Sequence, residues 1–292
     1  MGSERQSRYQ RGSIMVGRFD GKVAFITGLA RGQGRAHAVR LASEGADIIG
    51  LDLCDQIETV DYPMSTPSDL DETIKLVEGC DRRIIAVRGD VRNRASLRAV
   101  LDEGLATFGR LDFVVANAGV MPVWGSESNT MQAWQDCLDV LLTGVLNTVE
   151  TVYPTLVEQG DGGSIVITGS MAAVKPQMRT FGAHSLGLLG YSAAKAALVN
   201  LAQNYASLLA YQRIRVNVVH PTGVNTPMIE NEMVRDRFAT ADPEDIATLV
   251  NAIPVNAVDP EDIANAVAWL CSDESSFYTG SEMRIDAGAN LR

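Results

Sequence analysis

The sequence predicts an α/β fold, a single doubly wound domain with a seven-stranded parallel sheet flanked by helices. Three observations predict it. Short runs rich in valine and isoleucine alternate with longer stretches of helical spacing, which implies repeated βαβ units. Those runs are near-continuous, as in strands covered on both faces. The first run leads straight into a glycine-bearing turn, T-G-L-A-R-G-Q-G at 27–34, and then into a helix.

The elements follow in order. Residues 22–27 (K-V-A-F-I-T) form the first strand. Residues 32–44 have helical spacing and stop at Gly45, a residue suited to a helix C-cap. Residues 47–52 (D-I-I-G-L-D) form the second strand. Strands at 84–88, 113–117, 164–168 and 214–220 come next, with 283–286 as the last. Helices are expected at 67–78, 94–108, 130–158, 190–211 and 260–270. Two long segments break the rhythm, 53–66 and 222–258, and long irregular segments in compact domains are often functional. The second reads as a lid over a substrate site. No repeat of solenoid length is visible.

The chain has 292 residues, 46% of them apolar, which suits one domain over 19–292 preceded by a flexible tail over 1–18. The formal charge of −11 repels phosphate backbones and argues against nucleic-acid binding. Cys54, Cys80, Cys137 and Cys271 are far apart with no C-x-x-C pair, and read as free thiols of a reducing compartment. No apolar run reaches the roughly 18 residues of a membrane span, and the start lacks a signal-peptide core. A cytoplasmic address is expected. His37, His184 and His220 show no metal-ligand spacing.

The turn at 27–34 has the context of a Rossmann-type phosphate site: strand before, helix after. Gly28 permits the tight turn, and Gly32 and Gly34 let the backbone approach a pyrophosphate at a helix N-terminus. Asp52 closes the next strand, near the spacing of about 20 residues at which a carboxylate takes the adenosine ribose and repels a 2′-phosphate. That favours NAD. Arg31, inside the turn, pulls towards NADP.

Tyr191-Ser192-Ala193-Ala194-Lys195 lies in a helical stretch, so positions 191 and 195 share a face. A free tyrosine is a poor base at neutral pH. A nearby lysine cation is expected to lower its pKa and let it take an alcohol proton. Ser170 ends the fifth strand, where ligands of parallel sheets bind, and its hydroxyl suits a substrate oxygen.

In these residues the chain resembles the short-chain dehydrogenase/reductase family over nearly its whole length. The resemblance rests on the turn at 27–34, Asp90-Val91, Asn117-Ala118-Gly119, Ser170, Tyr191/Lys195, and His220-Pro221-Thr222-Gly223 with Thr226. It implies that Ser170, Tyr191 and Lys195 are catalytic. It also implies that NAD is held by Gly28, Arg31, Gly32, Gln33, Gly34, Asp52, Leu53, Asp90, Val91, Asn117, Ala118, Gly119, Tyr191, Lys195, Pro221, Gly223, Val224 and Thr226. Asp90 and Val91 would bracket adenine, 117–119 would support the cofactor floor, and Thr226 would meet the carboxamide. Pro-S hydride transfer and a homotetramer built through 130–158, 190–211 and the last strand are further implications. A narrower resemblance, to carveol-dehydrogenase-like actinobacterial enzymes, implies tightly held NAD and mycofactocin as external electron carrier.

Two departures stand out. Where the family carries a catalytic asparagine, this chain reads Val140-Leu141-Leu142-Thr143-Gly144, and leucine cannot order a relay water through an amide. Asn147 lies almost two turns further on. The stretch between Ser170 and Tyr191 is also longer than the family's, so Met178, Phe181 and His184 either touch substrate or sit in an exposed loop. Met228, Met233, Val234 and Phe238 in the 222–258 segment suit an apolar, terpenoid or alicyclic substrate, or simply helix packing. The expected activity is reversible oxidation of a secondary alcohol to a ketone. Two alternatives stay open: an NADPH-dependent carbonyl reductase, and a non-catalytic NAD-binding or redox-sensing protein, which Leu141 favours.

Overall fold

A computed structural model describes residues 17–292. Of the expected tail, all but Gly17 and Arg18 lies outside the described residues. Arg18 is tied to the domain, its guanidinium donating to Glu44 at 2.9 Å and Glu274 at 3.2 Å.

The strands are β1 (Val23–Thr27), β2 (Asp47–Asp52), β3 (Ile84–Arg88), β4 (Phe113–Ala116), β5 (Gly163–Thr168), β6 (Ile214–Pro221) and β7 (Glu282–Ile285). They form one parallel seven-stranded sheet in the order β3-β2-β1-β4-β5-β6-β7. The chain runs outward from β1 through β2 to β3, then returns to the other side of β1 as β4. That reversal opens a crevice at the strands' carboxyl ends, where ligands bind in such sheets.

The helices are α1 (Gly32–Ser43), α2 (Pro67–Glu78), α3 (Arg94–Phe108), α4 (Met131–Cys137), α5 (Gly144–Gln159), α6 (Leu186–Leu209), α7 (Glu232–Thr240), α8 (Pro243–Ile246) and α9 (Pro260–Cys271). Successive strand side chains point to opposite faces, so β1 splits its residues between two cores. Val23 and Phe25 pack with Leu97 and Leu101 of α3, Val149 and Val152 of α5, and Leu198 of α6. Ala24 and Ile26 pack with Leu41 of α1, Leu70 of α2, and Ile263 and Val267 of α9. Both faces of the sheet are thereby covered, as the near-continuous apolar strands require.

Helix starts follow local chemistry. Thr66 caps α2 in a reciprocal box with Asp69, with proline at the first turn. Asn93 caps α3 through the Ala95 amide, and Ser185 caps α6 through that of Leu188 at 3.0 Å.

One expectation needs correction. The single helix expected over 130–158 is broken into α4, a π-helical segment Leu138–Thr143, and α5. Val140 and Leu141 are the buried residues of this wide turn, and such turns often mark a functional site. The same run, Met131–Gln159, holds an 18-residue window with a mean hydropathy of 1.3, long and apolar enough by length and composition to cross a membrane. It is interrupted by Asp136, Asp139, Asn147 and Glu150, and its Val145, Val149, Val152 and Leu156 face the core.

Candidate active site

A cavity of about 1350 Å³ opens over the carboxyl ends of the strands, larger than the roughly 300–1,000 Å³ of a typical ligand pocket. Every residue expected to be catalytic or to hold the cofactor lines it. The sheet reversal and the loops after β1, β2, β3, β4, β5 and β6 bring together positions spread along most of the chain.

The nucleotide end is set by backbone. Gly28 has φ +69°, and a Cβ on Gly34 would lie 1.9 Å from the Gly28 carbonyl oxygen, so the turn closes onto α1 only with glycine there. Thr27 Oγ1 accepts from the amides of Asn117 and Ala118, both at 3.1 Å. Asn117 Nδ2 donates back to the Thr27 and Gly28 carbonyls, which locks the β4 loop beneath the turn. Asn147 does not reach the Tyr–Lys pair. Its Nδ2 donates to the Val91 carbonyl at 3.0 Å and fixes the 90–92 backbone instead.

Asp52 is buried, and its carboxylate accepts from the Ala30 amide at 2.9 Å, the Cys54 amide at 3.2 Å and Ser65 Oγ at 2.5 Å. The chain's own donors thus fix the position of this carboxylate at the cavity wall. Arg31 is turned to the 53–66 segment, donating to the Pro63 carbonyl at 2.6 Å. That segment is anchored at several points: Thr59 donates to Asp136 of α4 at 2.6 Å, and the Met121 amide donates to the Tyr62 hydroxyl at 3.2 Å.

At the centre, α6 carries Tyr191 and Lys195 on one face. Lys195 is buried, and its Nζ donates to the Thr168 carbonyl at 2.6 Å and lies 5.9 Å from the Tyr191 ring centroid. Burial pulls the lysine pKa down to about 8. The expected lowering of Tyr191 does not follow. Burial raises the phenol's pKa, and the hydrogen bond with Ser170 only opposes it. Ser170 Oγ accepts from the Ala172 amide at 3.1 Å, leaving its proton to donate. Leu141 is fully buried and packs with Cys137, Ala194 and Tyr191, so an apolar wall stands where the family resemblance implies an amide.

The far end is formed by the 222–258 segment and the loop after β5. Met228, Val234 and Phe238 line the cavity, whereas Met233 packs on the core beside them. Met178, Phe181 and His184 do not line it, and Phe181 is fully exposed. Their alternative reading, exposed loop residues, fits Phe181 and His184. Lys175 and Gln177 from the same loop do line the wall. Buried Asp245 of α8 accepts from the Arg179 and Thr180 amides and from Thr180 Oγ1, which straps the two segments together. Sequence reasoning missed Tyr62, Lys175 and Asp245. Tyr62 and Asp245 lie in segments whose length is itself a signal, but Lys175 has none. Among the described residues, no cluster of His, Cys, Asp or Glu could hold a metal ion, and all four cysteines are free.

Comparison with known proteins fits this geometry. A family model described as enoyl-(acyl carrier protein) reductase matches residues 28–290. A short-chain type dehydrogenase/reductase of Mycolicibacterium smegmatis is 46% identical over 95% of this chain and all of its own length. The (−)-trans-carveol dehydrogenase of Rhodococcus erythropolis is 40% identical, again over 95% of this chain and all of its own. The crystal structure of a carveol dehydrogenase from Mycobacterium avium in complex with NAD superposes with a TM-score of 0.86 at 44% identity, covering 94% of this chain and all of that one.

Proposed function

Because the chain belongs to the short-chain dehydrogenase/reductase family of oxidoreductases, we propose that it interconverts a secondary alcohol and its ketone with NAD as cofactor. The observation that carries this reading is the convergence of Ser170, Tyr191 and Lys195 on one cavity with the phosphate turn.

The residues present fit NAD. The turn leaves no room for a side chain at Gly34, and Gln33 Oε1 is buried there without a partner, free for a ligand donor. The Asp52 carboxylate disfavours a 2′-phosphate, and Arg31, engaged with Pro63, is not free to offset it. That weighs against the NADPH alternative. Bound NAD supplies the hydride acceptor. Asp52 would meet the ribose, Asp90 and Val91 the adenine, and Thr226 the carboxamide.

Tyr191 exchanges the proton of the substrate oxygen, and Ser170 donates a hydrogen bond that holds that oxygen. Lys195, mostly charged at neutral pH with a pKa of about 8, stabilises a developing phenolate. Leu141 closes the helix-side route, so the proton leaves through the cavity. Intact acid–base machinery weighs against a purely binding or sensing role.

The apolar residues Met121, Val123, Trp124, Leu188, Val234 and Phe238 at the far end suit a cyclic or terpenoid alcohol, of the class that the Rhodococcus relative's name describes. Residues 222–258 act as the substrate lid. The 53–66 segment, docked over the nucleotide end, supports tightly held NAD and thus an external electron carrier, with mycofactocin as our candidate. Exposed Met131, Leu208 and Tyr211 support a homotetramer through the α4–α5 and α6 helices. We place the protein in the cytoplasm.

Mass spectrometry of nucleotide released on denaturing the purified protein, followed by alcohol oxidation with an artificial electron acceptor, tests this reading. Bound NAD or NADH and turnover of cyclic secondary alcohols are expected. Turnover with NADP alone, or none with any alcohol, would overturn it.

A further inference from the structure

His220, at the end of β6, is fully buried and does not line the cavity. Its Nδ1 lies 3.1 Å from the Ser170 amide nitrogen and 2.8 Å from the Ser170 carbonyl oxygen. A Cβ on Gly169 would come within 2.6 Å of Nδ1 and 2.7 Å of Cε1, so the ring fills the space that a side chain at 169 would need. On the other side, Glu282 Oε2 of β7 stands 3.1 Å from Nε2, off the direction of a well-aligned hydrogen bond. The imidazole therefore sits between a half-buried carboxylate and the peptide that carries Ser170.

A neutral imidazole has one N–H, and the two neighbours of Nδ1 ask for opposite things. If Nδ1 is bare it accepts from the Ser170 amide; if protonated it donates to the Ser170 carbonyl. The Glu282 carboxylate favours the proton on Nε2, which leaves Nδ1 bare. We propose that His220, oriented by Glu282, is a positioning residue for Ser170. It holds the Ser170 amide and so fixes where the Ser170 hydroxyl meets the reacting oxygen. This rests on the role proposed above for Ser170.

The arrangement carries a pH dependence. A second proton on His220 must enter at Nδ1, which then turns from the Ser170 amide to the carbonyl and shifts that peptide. The charged groups facing the ring are Glu282 and Arg284 from β7 and Lys195 from α6, with Tyr191 of α6 reached through Ser170. Burial, Lys195 and Arg284 oppose the cation, while the Ser170 carbonyl and Glu282 favour it, with burial dominant. The neutral ring is the working form, and activity falls on the acid side as it is lost.

The test has two arms. In ¹⁵N-histidine-labelled full-length protein, the His220 resonances should show bare Nδ1 and protonated Nε2, and Glu282→Gln should move the proton towards Nδ1. This arm needs no substrate. A wild-type ring protonated at Nδ1 would overturn the proposal. In the second arm, oxidation of (−)-trans-carveol is followed across the acid range. His220→Phe should lower kcat about 10- to 100-fold, as for a displaced catalytic group, with NAD affinity kept. His220→Asn, which can still reach the Ser170 peptide, should recover most of the rate but lack the acid-side fall. Wild-type kcat in His220→Phe, or equal loss of rate and thermal stability in both variants, would overturn the positioning role. If the wild type oxidises no alcohol at all, the proposed function fails, and the resonance arm still judges the His220–Glu282 pair.

Discussion

At the nucleotide end of the cavity, main-chain atoms and short polar side chains define the surface: the 27–34 turn, the Asn117 clasp on Thr27, and Asp52 held by three donors. At the substrate end the wall is made of loop and lid side chains, and several are open to solvent, among them Phe238, Val250 and Ile253. Its order depends on distant ties such as Asp245 to Arg179 and Thr180 and the edge-to-face packing of Trp124 on Phe238. Backbone recognition suits a ligand that never changes, whereas a side-chain wall can change its ligand through a few substitutions.

Substitutions at the two ends should therefore separate cofactor from substrate. Of the substitutions at the two ends, the larger effect is expected from Gly34→Val. Its side chain would collide with the Gly28 carbonyl, and overpacking against backbone of about 3 kcal/mol corresponds to roughly 100-fold weaker NAD binding. Calorimetric titration of nucleotide-stripped protein with NAD checks it; unchanged affinity would mean that the turn is not the phosphate site.

At the other end, Asp245→Ala removes the strap between lid and loop. We expect KM for the alcohol to rise about tenfold, the equivalent of one net hydrogen bond, with NAD affinity unchanged. A matching loss of NAD affinity would show that the two ends are not independent.

The smallest effect lies outside both ends. His37 of α1 is fully buried with neither ring nitrogen partnered, and burial lowers its pKa from 6.5 to about 3. Between those values the unfolded chain binds a proton that the folded chain does not, so stability falls as pH falls through this window, by at most about 1.4 kcal/mol per pH unit. His37→Phe should flatten the fall of Tm between pH 6 and pH 4, roughly the middle of that window. An unchanged slope would contradict the neutral, unpartnered ring.

The same contrast explains what was legible in the sequence. Strands such as β2 and β3 and helices such as α2 and α3 were readable because apolar period, proline, asparagine and glycine signals are local. The nucleotide end was readable for the same reason, since a glycine turn and a carboxylate about 20 residues on are contiguous patterns. The π turn at Leu141 was not, because its widening shows only in the backbone. The strap at Asp245, the Lys175 wall and the His220–Glu282 pair join residues far apart in the chain, and no spacing announces them. The direction of the Tyr191 pKa was misjudged because burial, which a sequence does not display, raises it.

The central claim is that Tyr191 exchanges the proton while NAD takes the hydride of a secondary alcohol. The most direct measurement is reduction of an artificial electron acceptor by (−)-trans-carveol with wild type and Tyr191→Phe, each stripped of nucleotide and reloaded with NAD or NADP. The account predicts turnover by the wild type with NAD, little with NADP, and a loss of about 10²–10⁴-fold in the variant. A variant as active as the wild type, or a preference for NADP, would contradict it.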